Sequence, residues 1–406
     1  MLALALLVAV DSAAIMVEVD RLAKKPLWPG FDPRTTPVAI YDGARTRFFH
    51  HPAPPADFTP PRANTSVELG GVLTATVLVD RTKLPAAWAP IVIHESFHVF
   101  QRKRHAVWSA NEGDLFTYPV EDAQILALRR LESTAFARAL RDPCWTSAAL
   151  KLRKERFLKL PPESVAYERK SELNEGLAQY VERLAAGRKP EWPEAEFPPD
   201  GIRLRSYVAG ETLAVLLDRA RPEWKRELEA GDPRPLDELL AGAPKPAGCA
   251  PTEEERQSAL ERAQKDVETL RAHRIEKRKD VEGRPGVRVV VRADLAPLWP
   301  QAFDPWNIER LGGAELLHTR WLKLGNDAGT IEVLGRDALT HGAGAHPLFQ
   351  GVKTLTVNGF DAEPTVTNEG GVLHLEGGGV TLDLKGARLS KNGPIWTIKL
   401  AAPAPK

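Results

Sequence analysis

The chain has 406 residues, is 43% hydrophobic and carries a formal net charge of +1. That length holds two or three globular domains, and a near-neutral balance gives nucleic acid no electrostatic footprint. The two cysteines, Cys144 and Cys249, are too few for a disulfide framework and lack zinc-knuckle spacing; whether they pair with each other is left open.

Residues 1–10 form an apolar run, too short to span a bilayer but long enough for the core of a signal peptide. Ser12-Ala13-Ala14 supplies small residues for cleavage, and no Lys or Arg precedes the run. Residues 1–22 therefore read as a signal peptide, or as an amphipathic first helix continuing through Met16, Val19 and Leu22. Export is favoured, which makes the protein secreted or periplasmic. No other segment reads as transmembrane.

After Lys24-Lys25, Trp28-Pro29-Gly30-Phe31-Asp32-Pro33 is a turn-rich connector. Residues 38–41 and 46–49 flank Asp42-Gly43, a hairpin signal. Residues 52–62 are proline-rich and extended. Residues 65–69 and 72–79 flank Gly70-Gly71, a second hairpin.

The next stretch, Ile91-Val92-Ile93-His94-Glu95-Ser96-Phe97-His98-Val99-Phe100-Gln101, contains His-Glu-x-x-His in an apolar run. A helix is expected over residues 90–105, with Pro90 near its start. Residues four apart stand one above the other on a helix, so His94 and His98 share a face. Two imidazoles on one face can hold zinc. Glu95, beside the first of them, can reach a water bound to that metal and act as general base, then acid. A plain core helix with satisfied histidines would leave a buried Glu95 unexplained. His105 is near the same face but two turns from the metal, and reads as solvated.

Residues 108–119 read as loop, and residues 120–140 as a helix with Ile125, Leu128, Leu131, Ala135 and Leu140 on its apolar side. Glu132 in that helix reads as a surface charge paired with Arg129 or Arg138. Residues 147–160 read as a basic amphipathic helix with a solvated face. Residues 167–182 form a further helix, bounded by Pro162 and Gly187. Gly176 inside it costs about 1 kcal/mol against Ala, which makes sense if another helix approaches its backbone closely. Zinc needs a third protein ligand, and a carboxylate on this helix would supply it. Glu172 and Glu175 both qualify; one could ligate while the other orients a His or stays exposed.

His94-Glu95-x-x-His98 followed by Asn174-Glu175-Gly176-Leu177-Ala178-x-Tyr180 resembles the gluzincin metallopeptidases, the superfamily of thermolysin and the zinc aminopeptidases. The resemblance covers residues 74–218. It implies zinc held by His94, His98 and Glu175, with Glu95 as the base and a peptide or protein as substrate. The interval between His98 and Glu175 is longer than zinc aminopeptidases use and holds two extra expected helices, so the chain is not a plain member of that group. The stretch Ser206-Tyr207-Val208-Ala209-Gly210 opening an apolar helix resembles the gluzincin element that supplies a transition-state-stabilising Tyr. That points to Tyr207, with Tyr118 or His105 as substitutes; a Tyr packing at a helix end is the plainer reading.

Residues 222–240 give short helices and 242–251 a Pro/Gly/Ala linker. Residues 252–281 form a charged helix with a thin apolar stripe of Leu260, Ala263, Val267 and Leu270, and residues 274–279 are a solvated charge run. From Gly286 the pattern turns to period two. Strands are expected at 287–291, 330–334, 352–357, 371–375, 380–384 and 395–400, a β-sandwich or small barrel. His318, His341 and His346 there have no ligand spacing. Leu298-Trp299-Pro300-Gln301-Ala302-Phe303-Asp304-Pro305 echoes the connector at residues 27–33, with no physical reason visible in the sequence.

The expected architecture is α+β: a zincin-like catalytic domain over residues 23–245, mainly helical with N-terminal hairpins, then a linker and charged helix over 246–285, then a β-rich accessory domain over 286–406. The expected function is a zinc-dependent peptidase. The alternative is a non-catalytic zincin-derived metal-binding module whose β domain binds a partner or the cell envelope. A structural site would be closed by a fourth protein ligand and would have no need of Glu95.

Overall fold

Two hairpins and a set of helices make the first of two units, and two stacked sheets make the second. The computed structural model describes residues 11–58, 64–80, 82–232, 234–244, 246 and 248–401. The first unit runs to Asn111 and resumes at Asp122–Ala263; the second joins Glu112–Glu121 to Gln264–Lys406. The division therefore falls within the long charged helix, rather than at residues 245 and 286. The whole is α+β, with a β-rich C-terminal region. Among the described residues no helix is long and apolar enough to cross a membrane. The apolar run at residues 1–10 lies outside the described residues, as do residues 59–63 of the proline-rich stretch.

In the first unit, α1 (Ser12–Leu22) is capped by the Asp11 carboxylate, which accepts from the Ala13 N–H. It buries Ile15, Met16 and Val19. Strands β1 (Val38–Tyr41) and β2 (Thr46–Phe49) form the first hairpin; β3 (Thr65–Leu69) and β4 (Val72–Leu78) form the second. They join in one sheet of order β2-β1-β4-β3, with β1 parallel to β4. Helix α2 (Pro85–Arg104) follows and carries the His-Glu-x-x-His stretch. Pro85 takes the first helical position, where a missing N–H costs nothing. Pro90, expected near the start, lies inside the helix instead. Nearly every residue from Trp88 to Gln101 is buried, so α2 is a central helix enclosed on all sides.

The segment expected as loop after α2 contains short 3-10 turns at Ala106–Trp108 and Glu112–Thr117. Helices α3 (Ala123–Ala139) and α4 (Trp145–Phe157) pack against each other. The expected single helix over residues 167–182 is split: α5 (Pro162–Ser171) passes through a π turn at Glu172–Gly176 into α6 (Leu177–Ala186). Gly187 ends α6 in the left-handed conformation, at φ 63°. Helices α7 (Ile202–Ala220), α8 (Trp224–Glu229) and α9 (Leu236–Ala241) complete the unit with the first part of α10 (Glu253–Glu282).

Helices α3, α4, α5 and α7 meet around buried charge, which corrects three expectations. Glu132 is fully buried, not a surface partner of Arg129 or Arg138. Its carboxylate takes Arg153 at 2.9 Å, Arg156 at 2.7 Å and Arg205 at 2.8 Å. Arg156 also holds Glu168, so the face of α4 read as solvated is partly sunk in the unit. Glu172 is likewise buried, against Arg153; it neither orients a histidine nor stays exposed. Burying one of these charges without the others would cost several kcal/mol, and assembling them together offsets that cost. Each of these ion pairs joins two different helical elements, so spacing along one helix does not reveal it. A disulfide joins Cys144, beside the start of α4, to Cys249 before α10.

Among the described residues the second unit contains thirteen strands. Six match the expected set: β5 (Val287–Arg292), β10 (Gly329–Leu334), β12 (Val352–Phe360), β14 (Val372–Gly377), β15 (Val380–Lys385) and β17 (Ile395–Lys399). The other seven are β6 (Trp299–Phe303), β7 (Ile308–Gly312), β8 (Glu315–His318), β9 (Trp321–Asn326), β11 (Ala338–Gly342), β13 (Thr365–Glu369) and β16 (Arg388–Asn392). They build a six-stranded sheet, β13-β14-β15-β10-β9-β6, and a seven-stranded sheet, β16-β17-β5-β12-β11-β8-β7. Alternate residues of both sheets, such as Ile331 and Val333 on one and Val289 and Val291 on the other, fill one shared core. That is a β-sandwich. Phe116, far upstream in sequence, belongs to this core. On the opposite side of the seven-stranded sheet, Val281 of α10 packs with Leu311 and Leu317. Arg274, expected in a solvated run, is buried and pairs with Glu121.

The repeated Trp-Pro segments acquire a local explanation. In both, the closing Asp-Pro makes a one-turn 3-10 helix, with Asp32 accepting from the Arg34 N–H and Asp304 from the Trp306 N–H. The aromatic parts differ: Trp28 is buried, whereas Trp299 is half-exposed.

Candidate metal centre

Helix α2 puts His94 and His98 one turn apart, and their Nε2 atoms lie 3.1 Å from each other. Glu175, in the π turn, brings its Oε2 to 3.2 Å from His98 Nε2. The donor atoms of the three residues all lie within 4.8 Å of one another. All three side chains are nearly buried.

Their outer atoms are held. His94 Nδ1 lies 3.1 Å from Glu182 Oε2, and Glu182 is held in turn by Arg188. His98 Nδ1 lies 2.8 Å from Gln101 Oε1. The Gln101 amide nitrogen donates to the carbonyls of Leu173 and Asn174, both at 2.9 Å. That fixes which end of the amide faces His98. Both Nδ1 atoms thus face acceptors and must carry the proton, which leaves both Nε2 atoms as bare lone pairs. Two lone pairs and a carboxylate converge on one point. Only a cation or a proton relieves that arrangement, and an imidazole–imidazole–carboxylate set suits zinc. With a proton as the only cation, burial would depress the His98 imidazole. The charge and hydrogen bond of Glu175 outweigh this and push it up to about 9. Burial likewise works against the charged form of Glu175, yet His98 and Arg203 hold its carboxyl well below the usual range.

Glu95 is buried too. Burial pushes its carboxyl upward, while His94 and His98 oppose the shift. Among the described residues no side chain pairs with its carboxylate, and His94, His98, Glu175 and Glu182 are near enough to act on its charge.

The geometry of the π turn depends on two glycines. A Cβ on Gly176 would stand 2.6 Å from the Gly210 Cα, and one on Gly210 would stand 2.5 Å from the Glu172 carbonyl. Helix α7 therefore crosses the π turn backbone to backbone, as the unusual Gly176 led us to expect. Such local widenings of a helix recur at functional sites. One turn before that crossing, α7 presents Tyr207. Its ring lies near-parallel to His94, 11° between planes and 6.3 Å between centroids. Its hydroxyl bonds to Glu175, and burial and the Glu175 charge both push the phenol up. Arg203, one turn earlier, donates to Glu175 Oε1 at 3.1 Å and to the Tyr207 hydroxyl at 3.4 Å.

All five residues expected at the site, His94, Glu95, His98, Glu175 and Tyr207, are thus brought together. Tyr118 belongs to the second unit. His105 is not solvated: it stacks on Trp108 at 3.9 Å and pairs with Glu229 at 3.0 Å. Sequence reasoning missed Gln101, Glu182 and Arg203. Gln101 and Arg203 stand three and four residues from His98 and Tyr207, a spacing that puts each pair on one helix face. Glu182, seven residues past Glu175, had the same kind of signal.

A search against protein-family models finds no match for the chain, and comparisons with curated proteins and with solved structures find none either.

Proposed function

We propose that the helical unit is a zinc-dependent hydrolase of gluzincin type that cleaves peptide bonds. One observation carries this reading: two histidines whose Nδ1 protons are pinned by Glu182 and Gln101 aim bare Nε2 atoms at the point that Glu175 also faces. His94, His98 and Glu175 would hold the metal, and three protein ligands leave room for water and substrate. Zinc, when bound there, supplies a Lewis acid that polarises a carbonyl and eases ionisation of water.

The remaining roles belong to side chains of this chain. Glu95 takes the proton of the attacking water on its carboxylate and returns it to the leaving amine. Its burial favours the protonated form, which suits a group that must carry a proton between two steps. Glu182 and Gln101 hold the imidazoles in the required tautomer and orientation. Tyr207 and Arg203 stand as donors beside Glu175, where negative charge develops on the former carbonyl oxygen. The choice of a peptide as substrate rests on the resemblance of the paired motifs. The Cys144–Cys249 disulfide supports work in an oxidising compartment, secreted or periplasmic.

The test is metal content by mass spectrometry together with cleavage of a mixed peptide library, with and without chelator. One zinc per chain and chelator-sensitive cleavage are expected. Zinc without cleavage of any library member would favour the alternative, a non-catalytic metal-binding module.

A further inference from the structure

Asp142, Cys144 and Cys249 form a second group of side chains with metal-binding atoms, sharing no residue with the first. One carboxylate oxygen of Asp142 and the two sulfurs all lie within 4.8 Å of one another. Cys144 stands at the N-terminus of α4, and Cys249 lies in the segment that leads to α10. The two are joined as a disulfide, with Cα atoms 5.4 Å apart. Asp142 is held by its own backbone turn: Oδ1 accepts from the Cys144 N–H at 3.0 Å. Its other oxygen has no protein partner among the described residues, and no cation there pairs with it. Both cysteines are half-buried and Asp142 is exposed. The bond is therefore open to a small reductant, and an accessible disulfide is the kind that thiol exchange reaches.

We propose that reduction of the Cys144–Cys249 disulfide turns this corner into a site for a thiophilic divalent cation such as zinc, held by both thiolates and the Asp142 carboxylate. The step balances with a dithiol as reductant. The dithiol supplies two electrons and two protons, closes to its own disulfide and leaves two thiols. The cation then binds both sulfurs and displaces their two protons. Two sulfurs and one oxygen are a set that zinc takes, with water in the fourth position. Two sulfurs on a tetrahedral zinc stand roughly 3.8 Å apart, which side-chain rotation reaches from a Cα separation of 5.4 Å. The N-terminus of α4 favours negative charge beside it. The metal closes the same loop as the covalent bond, between residues 105 apart in sequence. The segment before α10 thus stays fastened to α4 in either redox state, and only the reduced chain gains this cation. The inference is independent of the hydrolase reading.

The chain has no other cysteine, and the His94–His98–Glu175 group offers no sulfur. Thiolate-to-metal absorption can therefore come only from this pair, which makes cadmium the probe. The full chain is reduced under native conditions with a phosphine, which ends as its oxide, and desalted without oxygen. It is then titrated with cadmium and followed by the ultraviolet thiolate-to-cadmium band. The reduced chain should show a band that saturates at one band-forming cadmium per chain and that zinc removes by competition. The oxidised chain should show none. Asp142→Asn keeps an oxygen for the Cys144 N–H but gives up the charge, and should weaken cadmium binding at least about tenfold. Cys249→Ser should lose the saturable band. Thermal unfolding of both reduced variants is checked against the reduced parent. The proposal is overturned if the thiols appear only after denaturation, or if the native reduced chain gives no band. A band that saturates at one cadmium per two chains also overturns it, since the thiols would then come from different molecules. So does a folded Asp142→Asn that binds as tightly as the parent, because the site would lack its third ligand.

Discussion

Replacing Glu95 by Gln preserves shape and removes the ability to accept a proton. Zinc content and thermal stability should stay at the parent level while hydrolysis is lost; a variant that loses its zinc and unfolds would make Glu95 structural instead. Glu175→Ala takes away a converging carboxylate and should strip most of the metal. Glu172→Ala should leave the metal in place, because Glu172 points into the arginine network; metal analysis of the two variants side by side decides between them. Tyr207→Phe removes one donor next to Glu175 and should cut turnover by about 10²-fold with zinc content unchanged. An unaltered rate would leave Tyr207 as packing against His94. The pairing of His94 with His98 was legible in the sequence because helical spacing alone puts them on one face. The Asn-Glu element was legible only through its resemblance to a known family. Glu182 and Arg203 were not read at all, since nothing in one sequence says which neighbour on a helix face turns toward a site and which toward water.

The π turn is where local sequence and tertiary packing meet. It was legible as an anomaly, a glycine inside a helix, but its cause lay in Gly210 on another element. Gly176→Ala should therefore cost more than helix propensity allows, since Ala is the better helix former. Its Cβ would press on α7, and a loss of about 1–3 kcal/mol is expected from denaturant unfolding, with zinc affinity falling as Glu175 shifts. The charge network behind the turn was misread entirely, because alternating Arg and Glu on a helix look the same whether they face water or one another. Its pH behaviour follows from the direction of each shift. Burial opposes the charge on Glu168, but Arg156 outweighs it and holds the carboxyl down to about 2; Glu132 is depressed as well. Their contribution to stability is full above the ordinary Glu range and is lost as pH falls from there toward about 2. Glu172 goes the other way. Burial raises it to about 7 against the pull of Arg153, with Asp237 and Glu168 adding to the rise. One of its oxygens has no hydrogen-bond partner. The folded state thus prefers Glu172 protonated, and stability declines as pH rises from about 4.5 to 7. Glu172→Gln mimics the protonated form, so its melting temperature should change less than the parent's between pH 5 and 8. If the two curves run parallel, Glu172 is not the group responsible. Glu132→Ala would leave three buried arginines short of a counter-charge and should cost about 3–5 kcal/mol.

The β-sandwich was legible from the period-two pattern after Gly286, yet only about half its strands were. Those missed, such as β7, β8 and β13, are short or carry charged and polar residues on both faces, which blurs the alternation. The boundaries between the two units depend on contacts far apart in sequence and were read differently. Residues 112–121 lie between helices of the first unit, but Phe116 sits in the core of the second. Phe116→Ala should destabilise the β unit by about 3–5 kcal/mol, an effect that a reading of 112–121 as plain loop would not give. The linker over residues 242–251 also has a fixed point, since Cys249 is joined to Cys144 across 105 residues of chain. In the chain-entropy account, closing a loop of that length stabilises the folded state by up to about 5 kcal/mol. This sets up a comparison of two shortened chains. One ends after residue 263 and keeps every side chain proposed to hold zinc, the disulfide and the first turns of α10. The other ends after residue 245 and keeps the same side chains but loses Cys249. Both should take up one zinc, because His94, His98 and Glu175 with their supports Gln101, Glu182 and Arg203 all precede residue 245. The shorter chain should melt at a lower temperature, and adding reductant should bring the longer one down toward it while leaving the shorter unchanged. If the longer chain fails to bind zinc, the metal centre depends on the β unit. If reductant leaves its melting temperature where it was, the cross-link does not hold the helical unit together.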